Sequence, residues 1–492
     1  MSTVATQKPG RSGWGTMTVL LPFIVNAGLN FVLGLLVALF LGPEAFGLYA
    51  IGAATVVLVN TALLDWLKIS VVRFYSLQTR ENDPGIRATL DLLFAGVGLS
   101  LSALLAAAML AGIDTGLPAA LLIAAVAGGI AAGWFDYHAA IARARFLDAA
   151  YARLVLVRSV AALTLMVGGA WWTRDPTVVL LGGVLSAVAA VLANRGRLSD
   201  EKPVPGAVRT DLMRNFARYA LPLVAGNAVY AAIPLINRAI LADSHGFAEA
   251  GYFSLASDIG LRLFPVLASM LEIVLLREVI RLDETRGRIA AQKRIARNMV
   301  VVVACVLPVG LGFWLILPAF ERLFVPQGFR GHFADHMALL LPGFAAIALF
   351  QAALAPVFLL AKRTLIAAFA AMTGLAVNLV VIFALPGALA PTTVAVAQSA
   401  AYLTALLVTA VVALRALPAL PPLREIACVL AAGAGMGLAI WPLRGMLPAA
   451  LELPLQIALG GLVYAAVILA CDVGRWRTGL KLRWLARRSA RR

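Results

Sequence analysis

The feature that most constrains this chain is a succession of long apolar runs. About fourteen of them are long enough to cross a lipid bilayer, where a helix needs roughly 20 apolar residues. Their approximate limits are 17–41, 46–67, 89–112, 117–141, 153–172, 177–194, 219–241, 252–276, 299–318, 337–360, 364–385, 392–414, 425–443 and 453–472. Composition agrees. The chain is 62% hydrophobic and 13% charged, against about 45–50% and 25% for a soluble domain. These values predict an all-α polytopic membrane protein with about 14 transmembrane helices. They exclude a soluble enzyme, a nucleic-acid-binding module and a disordered scaffold, and nucleic acid is not an expected partner.

The net charge of +17 then reads as topology. With the N-terminus placed in the cytoplasm, about 35 of the 41 Lys and Arg residues fall on one face and about five on the other, leaving Arg262 inside a span. Basic loops mark the cytoplasmic side. A bias this large requires that no span be missed, since one omission would scramble the alternation. Both termini are expected in the cytoplasm, in a bacterial inner membrane. The longest loops, Arg195–Arg218 and Arg277–Asn298, lie on this basic face, and no loop on the opposite face is long enough to fold as a domain.

Several other features are quiet. Cys305, Cys428 and Cys471 all lie in apolar runs and read as packing residues rather than a disulfide or metal framework. Residues 1–10 are polar and carry no cleavable-signal pattern. There is no Gly-rich lysine loop for a nucleotide. His332 and His336 are four apart, but no further ligand accompanies them, so no metal or other cofactor is expected.

Two stretches about 200 residues apart look alike. Leu21-Pro22 and Asn26 lead through an apolar run into Leu41-Gly42-Pro43-Glu44-Ala45-Phe46-Gly47-Leu48-Tyr49. Leu221-Pro222 and Asn227 lead into Gly246-Phe247-Ala248-Glu249-Ala250-Gly251-Tyr252-Phe253. An even number of spans separates the copies, so the repeats are parallel, a known transporter plan. The chain divides accordingly. A tail, 1–16, precedes a six-helix lobe, 17–194, and a basic linker, 195–218. A second six-helix lobe, 219–414, two further helices, 425–472, and a basic amphipathic tail, 473–492, follow.

The Leu-Gly-Pro-Glu-Ala-Phe-Gly-Leu-Tyr run resembles the N-terminal signature of the polysaccharide transporter family. These are the Wzx-type flippases of the multidrug/oligosaccharidyl-lipid/polysaccharide superfamily. The six-plus-six-plus-two layout extends the resemblance over nearly the whole chain. It implies a substrate: a saccharide on an undecaprenyl diphosphate carrier, moved from the inner to the outer leaflet for lipopolysaccharide or exopolysaccharide biosynthesis. Composition and periodicity alone show only a polytopic two-lobed transporter.

Ionisable groups deep in a span cost about 2.5–3.5 kcal/mol each on insertion scales and are functional candidates. Arg262 lies about ten residues into the eighth run, roughly 15 Å deep. Asp258, four residues earlier, shares its helix face. Either Arg262 faces a cavity and binds diphosphate or acidic sugar oxygens through its planar fork, with Asp258 holding it, or the two neutralise each other and stabilise the helix. Arg238, beside Asn237, either lines the outward mouth or snorkels to the headgroups. Asp65 and Lys68, three apart at the basic end of the second run, form an inner gate or a rim ion pair.

Asn26 and Asn30 share a face of the first run, and Asn227 has a similar place in the seventh. Asn60, Gln351, Asn378 and Gln398 also lie within runs. Such amides read sugars, or simply join helices. Pro22, Pro222, Pro234, Pro308, Pro342 and Pro356 lie in runs as well, and kinks there would let two lobes rock. In the tail, Trp476, Leu480 and Trp484 recur at four-residue steps among eight basic residues. That pattern predicts an anchor on anionic membrane lipids.

The expectation is therefore a flippase working by alternating access, with a lipid-linked oligosaccharide as substrate. Substrate binding is expected at Arg262, Asp258, Asn26, Asn30, Asn227 and Arg238, and the gate or rim at Asp65 and Lys68. A proton, a sodium ion or the membrane potential would drive it, with Asp258 the first candidate for an ion. A polysaccharide polymerase or glycosyltransferase is the candidate partner. Three rivals stay open: a cation-coupled multidrug antiporter of the same superfamily, a membrane polymerase or glycosyltransferase, and a non-transporting scaffold.

Overall fold

The computed structural model describes residues 14–76, 83, 85–199, 208–361, 365–384, 387, 389–416, 421–475 and 477, with side chains from Gly28 onward. Among these residues the regular structure is helical. Twelve helices are long and apolar enough to cross a bilayer. The first, Trp14–Val59, continuing to Phe74, makes two crossings because it breaks at Gly42 (φ 72°, ψ 174°). Pro176–Leu192 adds a shorter apolar crossing of 17 residues. The chain is thus a multi-pass membrane protein whose spans follow the apolar runs: two six-helix lobes, then two C-terminal helices.

The loops differ from expectation. The second span does not stop near 67 but passes through a π-turn, Asn60–Leu64, into Asp65–Phe74. The expected long loop 277–298 is helix almost throughout, since Phe247–Arg286 and Arg288–Phe324 meet at Gly287 (φ 80°). The linker 195–218 is helical from Thr210. The reason is local. These basic stretches are rich in Arg, Leu, Ala and Ile and hold no proline beyond Thr210 before Pro222 or between Arg277 and Asn298, and most such residues favour a helix. Charge marks where the chain leaves the bilayer, not where the helix ends. At 40 residues, Phe247–Arg286 is about 60 Å long against a hydrocarbon core of about 30 Å.

The last two spans, Leu423–Ile440 and Ala449–Ala470, dock on the ninth, Arg288–Phe324. Glu452, 1% exposed, accepts from Arg322 (2.9 Å), from Gln456 (2.9 Å) and from the Gly445 N–H (3.1 Å). Arg444 donates to the Leu315 and Trp314 carbonyls, both at 2.7 Å, and lies against the Trp314 and Trp441 rings. Tyr464 closes the contact by donating to the Ala304 carbonyl (2.8 Å). The basic C-terminal tail and its tryptophans lie outside the described residues, apart from its first few positions.

Candidate functional site

The repeated sequence is where the two lobes touch. Gly42 and Gly246 break their helices in the same conformation, at φ 72°, ψ 174° and φ 88°, ψ 168°, which only glycine adopts without strain. Five residues on, each copy presents a second glycine to the other copy. A Cβ on Gly47 would stand 1.9 Å from the Phe247 carbonyl oxygen, and one on Gly251 would stand 2.1 Å from that of Pro43. Backbone therefore packs on backbone in a reciprocal pair. Phe329 sits over the joint, edge-on to Phe46 of the first copy (5.6 Å) and Tyr252 of the second (5.8 Å). Here His332 stacks on Tyr252 (4.2 Å), and His336 Nε2 lies 3.0 Å from Glu249.

Below this seal lie the charges. Arg238, on the seventh span (Thr210–His245), is 3% exposed and donates to the Ala50 carbonyl of the second span (2.9 Å). It is also ion-paired and hydrogen-bonded to Asp258 of the eighth span. It neither snorkels to headgroups nor opens to an outward mouth. The expected partnership of Asp258 with Arg262 is not formed. A guanidinium sealed between helices needs a carboxylate more than one with access to water does, and Arg238 takes it.

Arg262 instead crosses the seam and donates to the backbone carbonyl of Asn30 in the first span. Gly34, one turn along, makes room, for a Cβ there would lie 3.0 Å from Arg262 Nη1. Among the described residues no carboxylate pairs with Arg262. Beside Arg238, Asn237 joins a buried amide network. It exchanges hydrogen bonds with Asn378 (2.8 and 3.3 Å) and donates to Gln398 (3.2 Å), which donates to Ser257 (3.1 Å).

Arg262 also marks a change in packing. On the eighth span, nearly every residue from Ala250 to Gly260 is buried, whereas between 261 and 278 only Phe264 and Ala268 are. Gly28, Asn30 and Val32 of the first span and Asn227 of the seventh are likewise exposed. At the basic face the lobes meet along the second and seventh spans, where Phe74 packs on Phe216 (5.1 Å) and Tyr219 (5.5 Å). Among the described residues the seam is therefore tight at the neutral face and, along the eighth span, loose toward the basic face.

The remaining candidates are dispersed. The side chain of Asn26 lies outside the described residues. Asp65 and Lys68 pair at 2.7 Å, turned toward the interior of the first lobe, where Lys68 lies 4.0 Å from Asp136 of the fourth span. Asp136 is a hub that the sequence did not single out. It accepts from Asn60 (3.0 Å) and lies 3.8 Å from Arg158, whose guanidinium covers the Phe135 ring. Its signal was present as an acidic residue inside the apolar run 117–141. The glycine contact also had a signal, the five-residue spacing shared by both copies.

No family model matches the chain, and no curated protein matches it. Solved structures do. A lipid II flippase, MurJ, in an inward closed conformation aligns with a TM-score of 0.73 at 13% identity, covering 92% of this chain and 99% of that one. An inward-facing multidrug resistance MATE family transporter of the MOP superfamily aligns with a TM-score of 0.56 at 12% identity, covering 82% and 99%. The chain therefore has the fold that these transporters share.

Proposed function

We propose that this chain flips an anionic lipid-linked saccharide across a bacterial inner membrane by alternating access. Its basic face and both termini lie in the cytoplasm. The observation that carries the reading is the asymmetry of the two seam arginines. Arg238 is neutralised by Asp258. Arg262, where tight packing gives way to loose, is held among the described residues by a backbone carbonyl and by no carboxylate. A guanidinium so placed suits the paired oxygens of a diphosphate. The headgroup enters from the loose side, replaces the Asn30 carbonyl on Arg262 and so releases one tie between the lobes. The neutral-face seal then parts and the headgroup leaves, with Asn30 and Asn227 beside its path. An undecaprenyl diphosphate carrier is what the family resemblance implies, and the solved neighbour named as a lipid II flippase supports a lipid-linked cargo. Outward movement of net negative charge gains about 2.3 kcal/mol per charge per 100 mV in a membrane negative inside. A proton or sodium ion is the other candidate drive.

The competing multidrug antiporter would need an acidic cavity for cationic cargo, and the unpaired arginine speaks against it. The test is the leaflet location of lipid-linked saccharide in producing cells, comparing wild type, a deletion and the deletion carrying Arg262→Ala at equal expression. Accumulation on the inner leaflet in both altered strains is expected. An unchanged distribution in the deletion, with no second flippase present, would hand the function to the antiporter. Export restored by Arg262→Ala would leave a flippase but remove Arg262 from its path.

A further inference from the structure

A second basic site lies away from the seam's arginines, at the basic end of the seventh span. Arg214, Ala217, Arg218, Leu221 and Pro222 line an open depression along one helix face. The two arginines are four residues apart, so both guanidinium groups serve one face, and both are exposed. Among the described residues neither pairs with a carboxylate. The nearby acid in sequence, Asp211, is taken by Arg209, which also holds Asp83 at 3.0 Å. Arg73 is engaged with the Tyr219 ring (5.8 Å).

One turn further into the span the same wall becomes apolar. Leu221 is 47% exposed, and Pro222 has no N–H to give the Arg218 carbonyl. The wall thus offers two cations at the level where the chain leaves the bilayer and an apolar step where hydrocarbon begins. The internal repeat supplies an independent observation. The Leu-Pro step occurs in both copies, but the positions four and eight residues before Pro22 are Thr18 and Trp14, where the second copy has Arg218 and Arg214. The repeated helix start does not itself require the cations.

We infer that this depression docks the phosphate headgroup of an anionic phospholipid of the leaflet on the basic face. Arg214 and Arg218 clasp the phosphate, and Leu221 and Pro222 lie along the first carbons of an acyl chain. The inference is independent of the cargo proposed above, since its readout is lipid retention and not transport.

The test is native mass spectrometry of the full-length protein carried from detergent micelles containing phosphatidylglycerol. Three variants are compared: Arg214→Gln/Arg218→Gln, Leu221→Ser, and the control Arg195→Gln/Arg197→Gln, which removes two exposed charges from the same face. Each basic residue near a membrane surface strengthens anionic-lipid binding several-fold, so the first variant should lose retained phosphatidylglycerol on the order of tenfold or more. Leu221→Ser should lose less, and the control should match wild type. Equal loss in the control would overturn the inference in favour of diffuse electrostatics, and full retention in Arg214→Gln/Arg218→Gln would overturn it outright. Displacement by inorganic phosphate at matched concentration would show a free-phosphate site instead. Retention of a polyprenyl phosphate but not phosphatidylglycerol would reassign the depression to the carrier.

Discussion

The two ends of the seam between the lobes are built differently. At the neutral face, glycine meets backbone across the joint and Phe329 covers it. Toward the basic face, contact on one side is made by the Phe74, Phe216 and Tyr219 rings, while few described residues of the eighth span are buried beyond Arg262. Backbone contact admits no gradual loosening: it is made or it is broken. Side-chain contact can slide and repack. The difference teaches that this structure is sealed by the repeated motif on one face, and the alternating access proposed above would have to break that seal as a unit.

The sharpest break in the comparison is at Arg238. Arg238→Ala strands Asp258 below the seal and should cost up to about 3–5 kcal/mol of stability, the loss of one partner from a buried pair. Thermal unfolding in detergent would register it, and Asp258→Ala on top should recover part of the loss. A double variant no more stable than the single one would show that the pair does not carry the contact.

Next comes the glycine joint. Gly47→Ala or Gly251→Ala forces carbon against a carbonyl oxygen that no rotamer can move, an overpacking cost of about 1–3 kcal/mol. The seal should spread, and a Ser254→Cys reporter, buried in this structure, should label faster from the neutral face. The same alanine scan on exposed Gly28 should change nothing.

Arg262→Gln should lower stability by about 1.5–3 kcal/mol, the worth of one hydrogen bond from a charged group, while abolishing transport. Gly34→Val should cost somewhat less, because it breaks the same hydrogen bond but replaces glycine with a better helix former. It should push Arg262 off the first span while keeping its charge. Transport that fails with Gln but survives Val would separate the anchoring charge from the lobe tie. Failure with both would make the tie essential.

Much of this was legible in the sequence. Each span follows an apolar run, because lipid leaves little choice of structure for such runs. The repeat was visible as Gly42–Gly47 beside Gly246–Gly251. That the copies face each other was not, since proximity across 200 residues leaves no local trace. The Asp258–Arg262 spacing pointed to a pair along one helix, and the structure prefers Arg238 because burial, invisible in sequence, decides which cation needs the carboxylate. The same blindness to distant neighbours hid Asp136 as a hub, although its acidic side chain inside an apolar run was a signal in plain view. The helical extensions through 277–298 were read as loop because charge was taken to end the helix.

The most direct test of the alternating seam is a reversible lock on it. Cysteines placed at Glu44 and Ala248, in the two copies of the motif, would be joined by a short reducible cross-linker in vesicles containing the full-length protein and a lipid-linked saccharide. The account predicts that flipping stops when the link is closed and returns when it is reduced. Undiminished flipping with the seal held shut would contradict it.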